Sequence, residues 1–150
     1  MLSQKMLDYL RRNKIDYEIV DHPKSFSAQR TAQVSHFPGR MVAKPVILQV
    51  DGSLKMIVMP ADENIDIMHL MEIFNTRNIH LAREKDFSDI FPECEIGGMP
   101  PMGNLYGMDV YVAQDLAKDD TIVFNGGDHR ELIKMAYKDY ERLVNPRIFS

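Results

Sequence analysis

The sequence predicts an α/β protein of mixed α+β type, with a single domain over residues 1–150 and a curved, mixed central sheet flanked by helices. Three observations predict this class. Apolar residues recur at helical spacing in some segments and alternate with polar residues in others. An Asp-Gly pair between two β-rich runs is typical of a hairpin. Helices and strands alternate irregularly, which favours a mixed sheet over a purely parallel one.

The composition fits a cytoplasmic protein without membrane association. The 150 residues are 45% hydrophobic and 27% charged, which is enough for one domain with its own core. No apolar run approaches the ~20 residues needed to cross a bilayer, and the N-terminus lacks the apolar core of a signal peptide. The single cysteine, Cys94, excludes an intramolecular disulfide and a Cys-rich zinc site.

The charge is unevenly distributed. The net charge of −4 argues against general affinity for nucleic acid. Residues 1–44, however, carry eight Lys/Arg against four Asp/Glu, whereas the remaining residues are strongly acidic. The basic part suits a phosphate-bearing ligand, although an ordinary solvated helix face explains its basic residues equally well.

Local signals define the elements of the first third. Leu2, Met6, Leu7 and Leu10 lie at helical spacing and predict an amphipathic helix over residues 2–13. The alternation over residues 15–20 predicts a half-buried strand that ends before a histidine-proline pair. A second helix opens with Ser25 or Ser27 as its N-cap and closes at Pro38-Gly39.

The rest of the chain begins with the hairpin. Its strands are residues 45–50 and 55–59, which flank Asp51-Gly52. After the hairpin, the predicted elements are a helix over 65–74, a short strand at 79–81, a short helix over 84–90, strands at 108–112 and 121–124, a segment at 132–135 that is strand or helix by its pattern, and a terminal helix over 136–143.

Lys44 is the first candidate functional residue. It precedes a very apolar strand, and Pro45 holds it in an extended backbone. A cation at this point can meet a phosphate or a carboxylate. Position alone favours the simpler interpretation, in which Lys44 lies at a strand end and extends its ammonium to solvent.

Two glycine-containing segments are the next candidates. The first is the loop Gly97-Gly98-Met99-Pro100-Pro101-Met102-Gly103. Its two prolines fix the backbone angle φ, and its three glycines allow positive φ. Its N–H groups at Gly97, Gly98 and Met99 can face a ligand carbonyl or oxyanion. Gly126-Gly127-Asp128-His129 follows a β-rich run, and its histidine can donate to a substrate or position a water. Each segment can equally be a plain turn, and the second lacks the spacing of a dinucleotide fingerprint.

Other candidate groups are weaker. His22, with Ser27 nearby, can line the same cleft as the two glycine-containing segments, although a lone histidine is more often structural. The other histidines show no metal-ligand spacing, so no metal site is expected. Cys94 has no basic neighbour in the sequence, which leaves a Cys–His nucleophile unsupported. Met99 and Met102 flank the loop and can shape a small apolar pocket.

Taken in order, several segments resemble the YbaK/prolyl-tRNA-synthetase-associated editing family. They are His22-Pro23 with Ser25 to Gln29, Ala43-Lys44 before an aliphatic strand, Val58 to Ala61 before an acidic helix start, Gly97-x-x-x-Pro101, and Phe124 to Gly127 before the last strand. None is specific alone, whereas the ordered set is fairly specific and covers nearly the whole chain. The resemblance implies a curved sheet with a cleft.

The resemblance also implies an activity, which is hydrolysis of the ester between a wrong amino acid and the 3′ end of tRNA, without metal or cofactor. In this family the lysine that matches Lys44 supports binding of the terminal adenosine and its phosphate, and the Gly-x-x-x-Pro loop holds the aminoacyl group. The expected catalytic residue is Lys44. The expected substrate-binding residues are His22, Ser27, Gly97, Gly98, Met99, Pro100, Pro101, Gly126, Gly127 and His129. The expected partners are mischarged tRNA and an aminoacyl-tRNA synthetase.

The chain departs from the family pattern at three points that concern specificity. Pro45 follows Lys44 where many relatives have a small polar residue, and Met99-Pro100 precedes Pro101 where relatives have a hydroxyl residue. His129 follows the second glycine pair, as in only some branches of the family. A sieve for a small side chain such as Ala, Ser or Cys suits this loop, but the amino acid is left unassigned. Two rival functions stay open: a non-catalytic module that binds tRNA or a synthetase, and a hydrolase of a small acyl metabolite.

Overall fold

The computed structural model describes all 150 residues, which form six helices and eight strands. The helices are α1 (Gln4–Arg12), α2 (Ala28–Ser35), α3 (Ile67–Phe74), α4 (Glu84–Phe87), α5 (Gln114–Ala117) and α6 (Tyr137–Val144). The strands are β1 (Tyr17–Asp21), β2 (Ala43–Val50), β3 (Ser53–Pro60), β4 (Ile79–Leu81), β5 (Asp109–Ala113), β6 (Thr121–Asn125), β7 (Glu131–Ala136) and β8 (Arg147–Phe149). The predicted mixed α/β class is therefore confirmed.

Local sequence signals explain where the first elements begin and turn. The Ser3 hydroxyl accepts a hydrogen bond from the Met6 N–H and caps α1. Ser27, rather than Ser25, caps α2 in the same way through the Arg30 N–H. Asp51 and Gly52 both have positive φ, as a tight hairpin between β2 and β3 requires.

The strands form two sheets joined by one bridge. The smaller sheet is antiparallel, in the order β1-β7-β6. The larger has the order β4-β2-β3-β5-β8, in which β5 runs parallel to both neighbours. A single parallel bridge between Val42 and Val123 connects them. The single central sheet expected from the sequence is thus divided, because pairing between β2 and β6 stops after one residue pair.

The main core lies where α1 and α6 cover the two sheets. Met6 and Leu10 of α1 and Tyr140 of α6 are fully buried together with apolar residues of β3, β5, β6 and β7. A second cluster forms where Leu70 of α3 packs on Ile57 of the larger sheet. None of the helices has the length and apolar composition needed to cross a bilayer.

Three features of the fold were not resolved by the sequence pattern. Residues 132–135, which fit a strand or a helix, belong to β7, because β1 and β6 pair with it on both sides. The short helix α5 and the edge strand β8 were missed. Both are short, so they carry too few residues to show a period, and β8 is defined by its pairing with β5.

Candidate functional site

The two glycine-containing segments lie against each other, although about thirty residues separate them in sequence. The Gly127 N–H donates to the Gly98 carbonyl at 2.8 Å, and the Glu95 N–H donates to the Gly127 carbonyl at 2.8 Å. A Cβ added at Gly98 would lie 2.9 Å from the Asp128 carbonyl carbon and oxygen. This close approach of two backbones explains why a glycine stands at position 98.

Gly97 faces the histidine of the second segment. It has φ +82°, and a Cβ added there would lie 3.3 Å from the Cε1 atom of His129. The Gly98 N–H is already used, since it donates to the Glu95 carbonyl at 2.9 Å. The N–H groups of Gly97 and Met99 make no hydrogen bond within the protein. Two of the three predicted donors therefore have no hydrogen-bond partner within the protein.

His22 and His129 are both buried and lie on adjacent segments. The backbone N–H of His22 donates to the Arg130 carbonyl at 2.9 Å, and the backbone N–H of Ser25 donates to the His129 carbonyl at 3.2 Å. Since Pro23 lies between His22 and Ser25, these bonds place the histidine-proline pair directly beside the second glycine segment. The structure thus brings together His22, Gly97, Gly98, Gly127 and His129.

Carbonyl partners determine which nitrogen of each imidazole carries a proton. His22 Nδ1 lies 2.7 Å from the Pro23 carbonyl, and His129 Nε2 lies 2.7 Å from the Ile96 carbonyl. A carbonyl can only accept, so these nitrogens are the donors, and the opposite nitrogen of each neutral ring is an acceptor. His22 Nε2 is buried and has no partner. A buried acceptor without a partner is rare in native proteins and indicates a place for a donor group.

Lys44 lies beside the strand that leads into the second glycine segment. The Val42–Val123 bridge precedes Lys44 on β2 and Asn125 on β6 by two residues each. Because the two segments run in the same direction there, Lys44 and Asn125 lie at matching positions beyond the bridge, and Gly126 follows Asn125. Asn125 also has a buried side-chain oxygen without a partner.

The Lys44 ammonium itself contacts a different part of the chain. It is half-buried and donates to the Glu63 carbonyl at 2.6 Å, rather than to either glycine segment. Burial lowers the pKa of Lys44, while the negative charges of Glu63 and Asp62 act in the opposite direction. An ammonium has three donors, so two remain after the bond to Glu63.

The remaining predicted residues serve local structure or the core. The Ser27 hydroxyl is used as the cap of α2. Pro100 and Pro101 are buried, and the Pro101 carbonyl accepts a hydrogen bond from the Tyr140 hydroxyl at 2.5 Å. Met102 is fully enclosed by the main core. The expectation that Met99 and Met102 shape a small apolar pocket is not met by Met102, which lies in the core because the loop turns its second half inward; Met99 is also nearly covered.

Sequence reasoning missed several residues that complete the region. Asp128 accepts hydrogen bonds from the Arg130 and Glu131 N–H groups and shapes the turn after Gly127. Burial alone would raise the pKa of Asp128, but its hydrogen bonds, with that from the amino group of Met1 foremost, lower the pKa to about 2. Ser3 packs under Gly127, where an added Cβ would lie 2.7 Å from the Ser3 nitrogen. Phe26 stacks near His129, with ring centroids 4.7 Å apart.

Two other features carry no evidence for catalysis. Burial raises the pKa of Cys94 to about 11, and the charge of Glu93 adds to this effect, so the thiol is protonated at neutral pH. A cavity of about 230 Å³ lies between α3 and the ends of β3, β5 and β8, and none of the predicted site residues lines it. No group of three or more His, Cys, Asp or Glu side chains is placed to hold a metal ion.

Comparison with solved structures first defines the class of fold. A protein proposed to be a trans-editing enzyme for prolyl-tRNA synthetase has a TM-score of 0.84 at 17% identity, with 100% of this chain and 98% of that chain covered. The hypothetical protein APE2540 has a TM-score of 0.84 at 15% identity, with 97% of each chain covered. A protein from Marinobacter aquaeolei VT8, proposed to act in signal transduction, has a TM-score of 0.76 at 14% identity; the match covers 100% of this chain and 30% of that one. At such identities the likeness shows the fold alone.

The family follows from the sequence itself. The family model of the aminoacyl-tRNA editing domain matches residues 22–143. Since this range covers most of the chain, the chain belongs to the aminoacyl-tRNA editing domain family. A search of curated proteins found no match.

Proposed function

We propose that this protein is a deacylase that acts in trans on mischarged tRNA and hydrolyses the ester that links a small amino acid to the 3′ end. Membership of the editing-domain family supports this class of reaction. The fold shared with a protein proposed to edit for prolyl-tRNA synthetase supports a tRNA of the prolyl type and action in trans. Such a reaction takes place in the cytoplasm, where a synthetase supplies the charged tRNA.

One observation carries the proposal: the two glycine segments are hydrogen-bonded to each other, and the imidazoles of His22 and His129 lie beside them, each oriented by a carbonyl. The N–H groups of Gly97 and Met99 have no partner, and His22 Nε2 is a buried ring nitrogen without a partner, whose opposite nitrogen bonds the Pro23 carbonyl. Donors of this kind stabilise the oxyanion that forms when an ester carbonyl is attacked. As an acceptor, His22 Nε2 can orient an attacking water or a ribose hydroxyl by hydrogen bonding.

The chemistry needs no protein nucleophile. In the water reaction, the oxygen adds to the ester carbonyl carbon, and the tetrahedral intermediate collapses with cleavage of the bond to the ribose oxygen. The amino acid leaves with the new oxygen, and the ribose hydroxyl takes up a proton. Because an aminoacyl ester is already activated, orientation and oxyanion stabilisation supply the main acceleration.

Lys44 is proposed to bind the phosphate or the ribose of the terminal adenosine. Its ammonium keeps two free donors after the bond to Glu63. The bridge at Val42, two residues before Lys44, pairs with the strand that leads into Gly126, and the proposal requires a nucleotide that spans from the ammonium to the glycine segments. This placement supports Lys44 as a substrate-binding cation and not as a general base.

Substitution and alkylation of Cys94 test whether the reaction uses a cysteine nucleophile. We expect Cys94→Ala to deacylate at the wild-type rate, because a thiol with a pKa of about 11 supplies almost no thiolate at neutral pH. We also expect iodoacetamide at pH 7 to leave the activity unchanged. Deacylation kinetics of the variant and of the alkylated wild type are the measurements. Loss of activity in both would instead assign the nucleophile to Cys94.

The proposed function is tested with a panel of mischarged tRNAs. Purified protein is incubated with tRNAs charged with Ala, Ser, Cys or the cognate amino acid, and release of each amino acid is followed. We expect release of one or more small amino acids and retention of the cognate one. Tight binding of charged tRNA without release would favour a binding module. Cleavage of small acyl esters with no dependence on tRNA would favour a metabolite hydrolase.

A further inference from the structure

Two residues with exposed apolar side chains contact His129, Phe26 through its ring and Ile96 through its backbone carbonyl. The Phe26 side chain is 71% exposed, and Ile96 is 51% exposed. The Phe26 ring lies 4.7 Å from the His129 ring, with the planes inclined at 50°. The Ile96 carbonyl is the partner of His129 Nε2. Single exposed apolar residues are common on protein surfaces, but these two contact the same site histidine from different segments.

A cation lies over the exposed ring. The Lys24 ammonium is 5.3 Å from the centroid of the Phe26 ring, and the exposed Arg130 directly follows His129. Asp21 and Glu131 pair at the neighbouring end of β1 and β7. Burial raises the pKa of Glu131, and the hydrogen bond between its carboxyl group and Asp128 raises it further. Lys24 therefore provides positive charge over the Phe26 ring.

We propose that Phe26 is a stacking platform for a nucleobase of the unpaired 3′ end of the tRNA, with Lys24 beside it on the phosphate. The inference rests on the proposed function and adds a residue to its substrate site. An exposed aromatic face with a neighbouring cation is the combination that binds single-stranded nucleic acid. The ester is carried on the ribose of the terminal nucleotide, so the bases nearest to it must lie close to the glycine segments and His129.

The absence of tryptophan from the chain allows a direct test. Phe26→Trp introduces the only indole, and stacking of a base on it quenches its fluorescence. We expect saturable quenching when the RNA trinucleotide CCA is added. Met68→Trp is the matched control, because Met68 is 78% exposed on α3 and lies in no part of the proposed site. Equal quenching of both variants, or of neither, would overturn the platform.

Kinetics with charged tRNA separate stacking from simple apolar contact. We expect Phe26→Ala and Phe26→Leu to raise KM about tenfold or more, since base–aromatic stacking contributes on that scale. Phe26→Tyr should restore the wild-type KM, and kcat should change little in all three variants. Circular dichroism should be unchanged, because the side chain is exposed. A wild-type KM for Phe26→Leu would show that no base stacks there.

The two proposals fail in different ways. If the wild type deacylates tRNA while Phe26→Ala keeps its KM, the platform is wrong and the proposed function stands. If no mischarged tRNA is hydrolysed while CCA still quenches Phe26→Trp and not Met68→Trp, the platform stands as an RNA-binding surface and the deacylase is wrong.

Discussion

Lys44→Ala is expected to lose most of the deacylation activity while the protein stays folded. A hydrogen bond to a charged group contributes about 1.5–3 kcal/mol, so kcat/KM should fall about 10- to 100-fold. The side chain is half-buried and its ammonium bonds only to the Glu63 carbonyl, so the fold does not depend on an ion pair there. Deacylation kinetics with circular dichroism measure both effects.

A phosphate contact leaves a signature that a structural role of Lys44 would not. Loss of one phosphate contact to single-stranded nucleic acid reduces the slope of log binding constant against log salt by about 0.7. Lys55→Ala is the matched control, because Lys55 lies on β3 of the same hairpin and pairs with Asp109 at 2.8 Å. We expect Lys55→Ala to keep the wild-type rate and slope. Unchanged turnover of Lys44→Ala would remove Lys44 from the site.

Gly97→Val is expected to reduce kcat/KM by about 10²- to 10³-fold, which is the usual effect of removing one oxyanion donor. A β-branched side chain at Gly97 meets the His129 ring, because even the Cβ would lie 3.3 Å from Cε1. It also strains a backbone that has φ +82°. Both effects move the Gly97 and Met99 N–H groups away from a bound carbonyl.

Gly107→Val separates these two effects. Gly107 has nearly the same backbone angle, φ +78°, and is exposed, but a Cβ there would meet nothing within 4 Å. Both variants should therefore lose unfolding free energy through backbone strain, measured by chemical denaturation, with the larger loss for Gly97→Val, while only Gly97→Val loses activity. Equal activity of the two variants would show that the loop does not hold the substrate.

Much of the local structure was predictable because short-range interactions determine it. The spacing of Leu2, Met6, Leu7 and Leu10 defined α1, and the Asp51-Gly52 turn defined the hairpin. Each of these signals depends on residues within one or two turns of the chain. Residues 132–135 remained undecided, because a short apolar run fits either element until its pairing partners are known.

The sequence identified the segments of the candidate site but not how they contact one another. The glycines at 97, 98, 126 and 127 marked two candidate segments in the sequence, and only the structure shows these segments joined by hydrogen bonds. The exposure of Phe26 could not be predicted, because an aromatic residue before a helix cap gives no sign that it will remain exposed. The inward turn of Met102 could not be predicted either, since an apolar residue in a glycine-proline loop fits a pocket or the core.

The sequence by itself determined the type and approximate ends of most elements, the rigid loop from Gly97 to Gly103, and membership of the editing family. Only the tertiary structure decided that the strands form two sheets joined at Val42–Val123, that His22 and His129 orient their imidazoles on carbonyls, and that Lys44 contacts Glu63. Caps, turns and periodicity act between neighbours in the chain, whereas these contacts join residues that come together only when the whole core packs.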